Sequence, residues 1–163
     1  MILAFVAGAV LSGLLIQDSV LRLGRRYGVA LGLESLLLFA SVPQFQRGLF
    51  LGPVLAAMAI GLQNAMATTY SGAIVRTSHV SGMFTDLGIA LGHALRGLPV
   101  ARRRLALCLV IISAFLSGGI LGVLLFGRWE HRALYLPALL TGSTGLVYAV
   151  YRHRKIASGK LQP

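Results

Sequence analysis

The sequence predicts an all-α, polytopic helical membrane protein with five to six membrane segments, one of them broken or re-entrant, and an inverted hairpin repeat. Three observations lead there. The 163-residue chain is 56% hydrophobic and only 12% charged, with mean hydropathy +0.81. A soluble domain carries roughly 25% charged residues to cover its surface. Uncharged runs of 28, 23 and 19 residues, at 48–75, 105–127 and 133–151, approach or exceed the roughly 20 residues of a bilayer-crossing helix. Between apolar flanks lies the third feature, the polar stretch 61–88, GLQNAMATTYSGAIVRTSHVSGMFTDLG.

Segment one covers about 2–20 and is rich in small residues (Ala7, Gly8, Ala9, Ser12, Gly13), which let membrane helices approach closely. It lacks a basic leader, so it reads as a first membrane helix rather than a cleaved signal. Segment two, about 27–42, carries Glu34 in its middle. A carboxylate at that depth marks a functional position, or packs inside the bundle on a polar partner or as the neutral acid. Pro43 is expected to end this helix.

Segment three, about 49–70, brings Gln63 and Asn64, which point about 100° apart on a helix. They line a cavity or serve as interhelical hydrogen-bonding glue. Beyond Tyr70 the pattern breaks at Gly72, Thr77-Ser78-His79 and Ser81-Gly82. Irregular backbone at membrane depth is tolerated where it is buried in protein or lines a wet cavity. Ser81 or Thr85 is then positioned to N-cap a shorter segment four, 81–95. Segments five (105–126) and six (133–151) complete a single transmembrane domain over 1–151. Residues 152–163 form a short, basic, disordered cytoplasmic tail.

The net charge of +11 comes from clusters beside apolar runs: Arg22/Arg25/Arg26, Arg102–Arg104 and Arg152/Arg154/Lys155. That distribution fits topology-setting loops and anionic lipids rather than nucleic acid. Cys108 is the one cysteine, which excludes an intramolecular disulfide and a cysteine metal cluster. No metal or cofactor is expected.

Residues 4–16, AFVAGAVLSGLLI, align without gaps on 114–126, AFLSGGILGVLLF, an offset of 110 residues that also matches Arg22 to Arg132 and Gly32 to Gly142. Segments one–two and five–six therefore read as equivalent hairpins. If all six segments cross, the loops hold nine Lys/Arg on one side and six on the other; if segment four enters and leaves on one side, the split is twelve to three. The positive-inside rule favours the second arrangement, with a cytoplasmic C-terminus and oppositely pointing hairpins. Many secondary transporters share that layout.

GLQNA (61–65) followed by VRTSHVSGMFTDLG (75–88) resembles the YoaK-like family of uncharacterised bacterial integral membrane proteins. The resemblance covers essentially the whole chain and implies a multi-pass inner-membrane protein of unassigned activity. Members usually begin with a further N-terminal portion holding a first copy of the polar element. The chain opens directly at the hairpin that follows it, so it is expected to be shortened or to need a partner.

A small-solute transporter or permease is the favoured function, with Glu34, Gln63, Asn64, Thr77, His79, Thr85 and Asp86 as candidates for a substrate or ion pathway. Asp86 suits a proton or cation site, or alternatively a helix cap. His79 titrates near neutral pH, or is a hydrogen-bonded loop residue. The alternative function is a non-transporting scaffold or partner subunit. Expected partners are anionic lipids, an unknown small solute and further copies of the chain. Ser71, His79 and Asp86 invite comparison with a triad, but no nucleophile elbow, phosphate loop or HExxH helix accompanies them, so no catalytic residue is assigned.

Overall fold

A computed structural model describes residues 1–16, 25–70 and 80–157. Among these residues every regular element is helical: α1 (Ile2–Leu15), α2 (Arg25–Gln46), α3 (Leu51–Tyr70), α4 (Val80–Leu95), α5 (Arg102–Trp129), a 3-10 turn (Glu130–Leu134) and α6 (Tyr135–Ala157). They divide into two compact units, Met1–Val75 with Trp129–Pro163, and Arg76–Arg128.

Three stretches are long and apolar enough to cross a membrane: Arg26–Gln46, Leu51–Thr69 and Leu105–Lys155. The last spans 51 residues, or about 76 Å as one helix against a hydrocarbon core of about 30 Å. It is broken where Glu130 takes φ 49°, leaving α5 and α6 with 28 and 23 residues. Helix α1 has 14 residues and α4 has 16, about 21 and 24 Å long.

In the larger unit α2 is the central helix. It packs along α3 on one side and α6 on the other, while α1 packs chiefly on α3. Ala30 clusters with Leu62, Leu38 clusters with Ala59, and Gly52 lies against Phe45. These pairs run in opposite directions along the two chains, so α2 and α3 form an antiparallel hairpin. Its turn uses the positive φ of Gly48, +67°, a conformation that costs glycine little. Glycines permit the α1–α3 crossing. A Cβ on Gly8 would strike the Met58 carbonyl oxygen, and one on Gly61 that of Phe5, so the two backbones touch directly.

The α2–α6 crossing is also antiparallel and close. A Cβ on Gly28 would lie 3.3 Å from the Gly145 carbonyl oxygen, and the Ser35 hydroxyl donates to the Ala138 carbonyl at 2.7 Å. Shifting each residue by the 110 positions of the sequence repeat turns the first pair into the second. The same shift turns Gly32–Gly145 into Gly142–Ser35, both of which are in contact range.

Several boundaries differ from expectation. Pro43 does not end α2, which continues to Gln46. Its ring removes one backbone donor, but Ser41 donates to the Leu38 carbonyl at 2.7 Å and Arg47 N–H reaches the Pro43 carbonyl at 3.2 Å. A proline persists inside an apolar helix where the hydrogen-bond ladder resumes beyond it. Helix α6 runs to Ala157, so Arg152, Arg154 and Lys155 sit on its last turns rather than in a disordered tail. Cations there complement the helix dipole. Helix α4 begins at Val80, which places Ser81 and Thr85 inside it and not at its cap.

Candidate functional site

The residue types that carry chemistry in the larger unit lie on the buried face of α2. Tyr27, Ala30, Glu34, Ser35, Leu38, Ser41 and Val42 are all buried, at the three- and four-residue spacing of one helix face. Glu34 stands one turn from Ala30 and one turn from Leu38, whose clusters reach Leu62 and Ala59 of α3. It is 3% exposed, and its Oε2 has no hydrogen-bond partner among the described residues.

A buried carboxylate oxygen without a donor is destabilising, and such groups in apolar helices mark ion pathways and proton relays. Next to it, Ser35 is satisfied by the Ala138 carbonyl. On α1, the buried Ser12 Oγ also lacks a partner among the described residues. Among the described residues, Glu34 Oε2 and Ser12 Oγ are thus buried polar atoms without an internal hydrogen-bond partner.

On α3, Gln63 and Asn64 are half-buried, and the Asn64 carbonyl accepts from the Thr68 hydroxyl at 2.7 Å. Thr69 donates likewise to Ala65 at 2.9 Å. These threonines satisfy carbonyls of their own helix, a common use in apolar surroundings. Glu34, Gln63 and Asn64 therefore belong to one unit.

Thr85 and Asp86 belong to the other. The exposed Thr85 hydroxyl donates to the Ser81 carbonyl at 3.1 Å, one turn back on the same helix. Asp86 sits in the middle of α4 and lines a cavity of about 250 Å³ with His93, Pro99 and Cys108. Asp86, Ala90 and His93 share a helix face. Their spacing of four and three residues was available in the sequence and links Asp86 to His93, a residue the motif reading left aside. Beneath the cavity Cys108 packs with Met83 and Ile112. Thr77 and His79 lie outside the described residues. No group of three or more His, Cys, Asp or Glu among the described residues is arranged to hold a metal ion.

A family model described as "Protein of unknown function (DUF1275)" matches residues 1–147. The chain belongs to that family. The match takes in α1–α5 and the first half of α6, including every residue named above as a candidate. No curated protein and no solved structure matches the chain.

Proposed function

We propose that this chain is a multi-pass bacterial inner-membrane protein of the YoaK-like kind that moves a small solute or ion, with Glu34 as the group that binds the transported or coupling cation. The observation that carries the reading is the buried Glu34 Oε2 with no donor among the described residues, on a helix of membrane-crossing length. A purely structural carboxylate would be expected to have its oxygens hydrogen-bonded.

The reciprocal contacts of α2 and α6 support an inverted repeat. A two-fold operation that exchanges two antiparallel helices has its axis perpendicular to them, which lies in the membrane plane when the helices cross the bilayer. Transporter sites commonly lie near the midplane at such a repeat interface, beside discontinuous helices. Glu34 is two residues from Gly32, whose repeat mate Gly142 lies on the facing helix. The described α4, at 16 residues, falls short of the roughly 20 residues of a full span. The basic last turns of α6 support a cytoplasmic C-terminus. Gln63 and Asn64 are the further pathway candidates in the unit of Glu34, and Thr85 and Asp86 are candidates within the other unit. Thr77 and His79 remain candidates from the sequence alone, and no catalytic step is assigned.

A scaffold or partner subunit is the second reading, favoured by backbones in direct contact at Gly8 and Gly61. Uptake of a panel of labelled amino acids, sugars and organic anions into proteoliposomes separates the two. Uptake above that of protein-free vesicles supports transport. Uptake equal to protein-free vesicles across the panel, with no aqueous labelling of cysteines placed at Gln63, Asn64 and Thr85, favours the scaffold.

A further inference from the structure

The α2–α6 contact is reciprocal along its length but not at its two ends. At the end near the 3-10 turn, Phe39 packs on Tyr135 with ring centroids 5.5 Å apart, and Phe45 stacks on His131 at 4.7 Å. The 110-residue shift carries Phe39 to Ala149. The repeat mate of the large ring at the first end is thus a methyl group at the second, where the neighbouring Tyr148 ring lies beside Gly28 and lines one wall.

A half-open groove of about 900 Å³ lies there, within the range of about 300–1,000 Å³ of small-molecule sites. Its floor is Gly28, Gly32 and Gly145, and Leu146 and Val150 supply apolar walls. Arg152, His153 and Arg154 line its end, the first half-buried and the other two exposed. Among the described residues no acidic side chain lines it. An apolar channel that ends in three basic side chains matches an amphiphile with an acyl chain and an anionic head.

We propose that this groove binds one anionic phospholipid, with an acyl chain along the glycine floor where an aromatic ring fills the opposite end, and the phosphate at Arg152–Arg154. The inference needs the membrane setting of the function proposed above but not its transport step. Guanidinium groups suit the phosphate because they present several donors in a fixed plane. The acyl chain covers the helix backbones that the glycines leave bare.

The test uses the full chain in detergent, titrated with dioleoyl phosphatidylglycerol and followed by mass spectrometry under native conditions. Dioleoyl phosphatidylcholine and inorganic phosphate are the comparison ligands. Wild type is expected to retain one phosphatidylglycerol per chain and to prefer it over phosphatidylcholine by about tenfold or more. Ala149→Phe, which reproduces Phe39, should lower that affinity by a similar factor with helix content unchanged, as should the double change Arg152→Gln/Arg154→Gln. Gly32→Leu gives an independent filler, since a Cβ there meets nothing within 4 Å, and it decides the matter if Ala149→Phe loses helix content. Gly13→Leu, at an open position on α1, should bind as wild type. Equal retention of the two lipids, unchanged binding in the filled variants, or displacement of the lipid by equimolar phosphate would overturn the proposal.

Discussion

Ser35 on α2 donates its hydroxyl to the carbonyl of Ala138 on α6 at 2.7 Å, across 103 residues of sequence. The bond is possible because Gly142, one turn beyond Ala138, has no side chain. A Cβ there would lie 2.6 Å from the Ser35 Oγ. Polar bond and glycine therefore act as one unit in holding α2 against α6.

Ser35→Ala should destabilise the chain by about 0.5–1.5 kcal/mol, the usual net value of one hydrogen bond. Gly142→Ala should cost more, because Ser35 must abandon its rotamer. In the double variant the two costs should add to less than their sum, measured as a mutant cycle in denaturant unfolding. Strict additivity would mean that the two residues act independently.

Glycine substitutions should sort by what their Cβ meets. Gly8→Ala and Gly61→Ala drive a methyl group into facing backbone and should cost about 1–3 kcal/mol or more. Gly13→Ala, which meets nothing within 4 Å, should be neutral or stabilising by up to about 1 kcal/mol through helix propensity. Thermal unfolding in detergent reads the order directly.

Thiol chemistry should follow burial. Cys108 is 2% exposed and packed by Met83 and Ile112, so a maleimide should leave it unmodified in the folded chain and modify it after denaturation. A cysteine at the exposed Thr85 should react before unfolding. Rapid labelling of native Cys108 would contradict the packing of α4 on α5.

Glu34 should trade stability for function. Glu34→Leu removes a buried, unsatisfied oxygen and should raise stability by about 1–3 kcal/mol, with loss of transport. Natural sites commonly retain such costs where activity needs them. A large destabilisation would instead assign Glu34 a structural partner.

Much of this was readable from residue order. Hydropathy located the apolar segments, because the bilayer imposes both their length and their composition. The contacts Gly28–Gly145 and Ser35–Ala138 are related by the 110-residue offset of the repeat read in the sequence. Glu34 stood out because carboxylates are rare in such helices.

The rest depended on neighbours. The docking of α1 on α3 through Gly8 and Gly61 leaves no periodic signature, since apolar residues surround both helices on all sides. Pro43 was misread as a stop, although α2 continues past it to Gln46 and Arg47 N–H closes on the Pro43 carbonyl. The basic run after Tyr151 looks like a tail in composition, yet it continues the helix. Asp86 and His93 share a helix face in the sequence pattern, and the cavity they line with Pro99 and Cys108 depends on the loop and helix that follow.

Solute-driven charge movement in proteoliposomes on a solid-supported membrane, comparing wild type with Glu34→Gln and Glu34→Asp, addresses the proposed role of Glu34 most directly. A solute jump should give a sustained current in wild type, none in Glu34→Gln, and a reduced but measurable current in Glu34→Asp, with equal amounts of folded protein in each membrane. A current in Glu34→Gln as large as wild type would contradict the assignment of Glu34 as the cation-binding group.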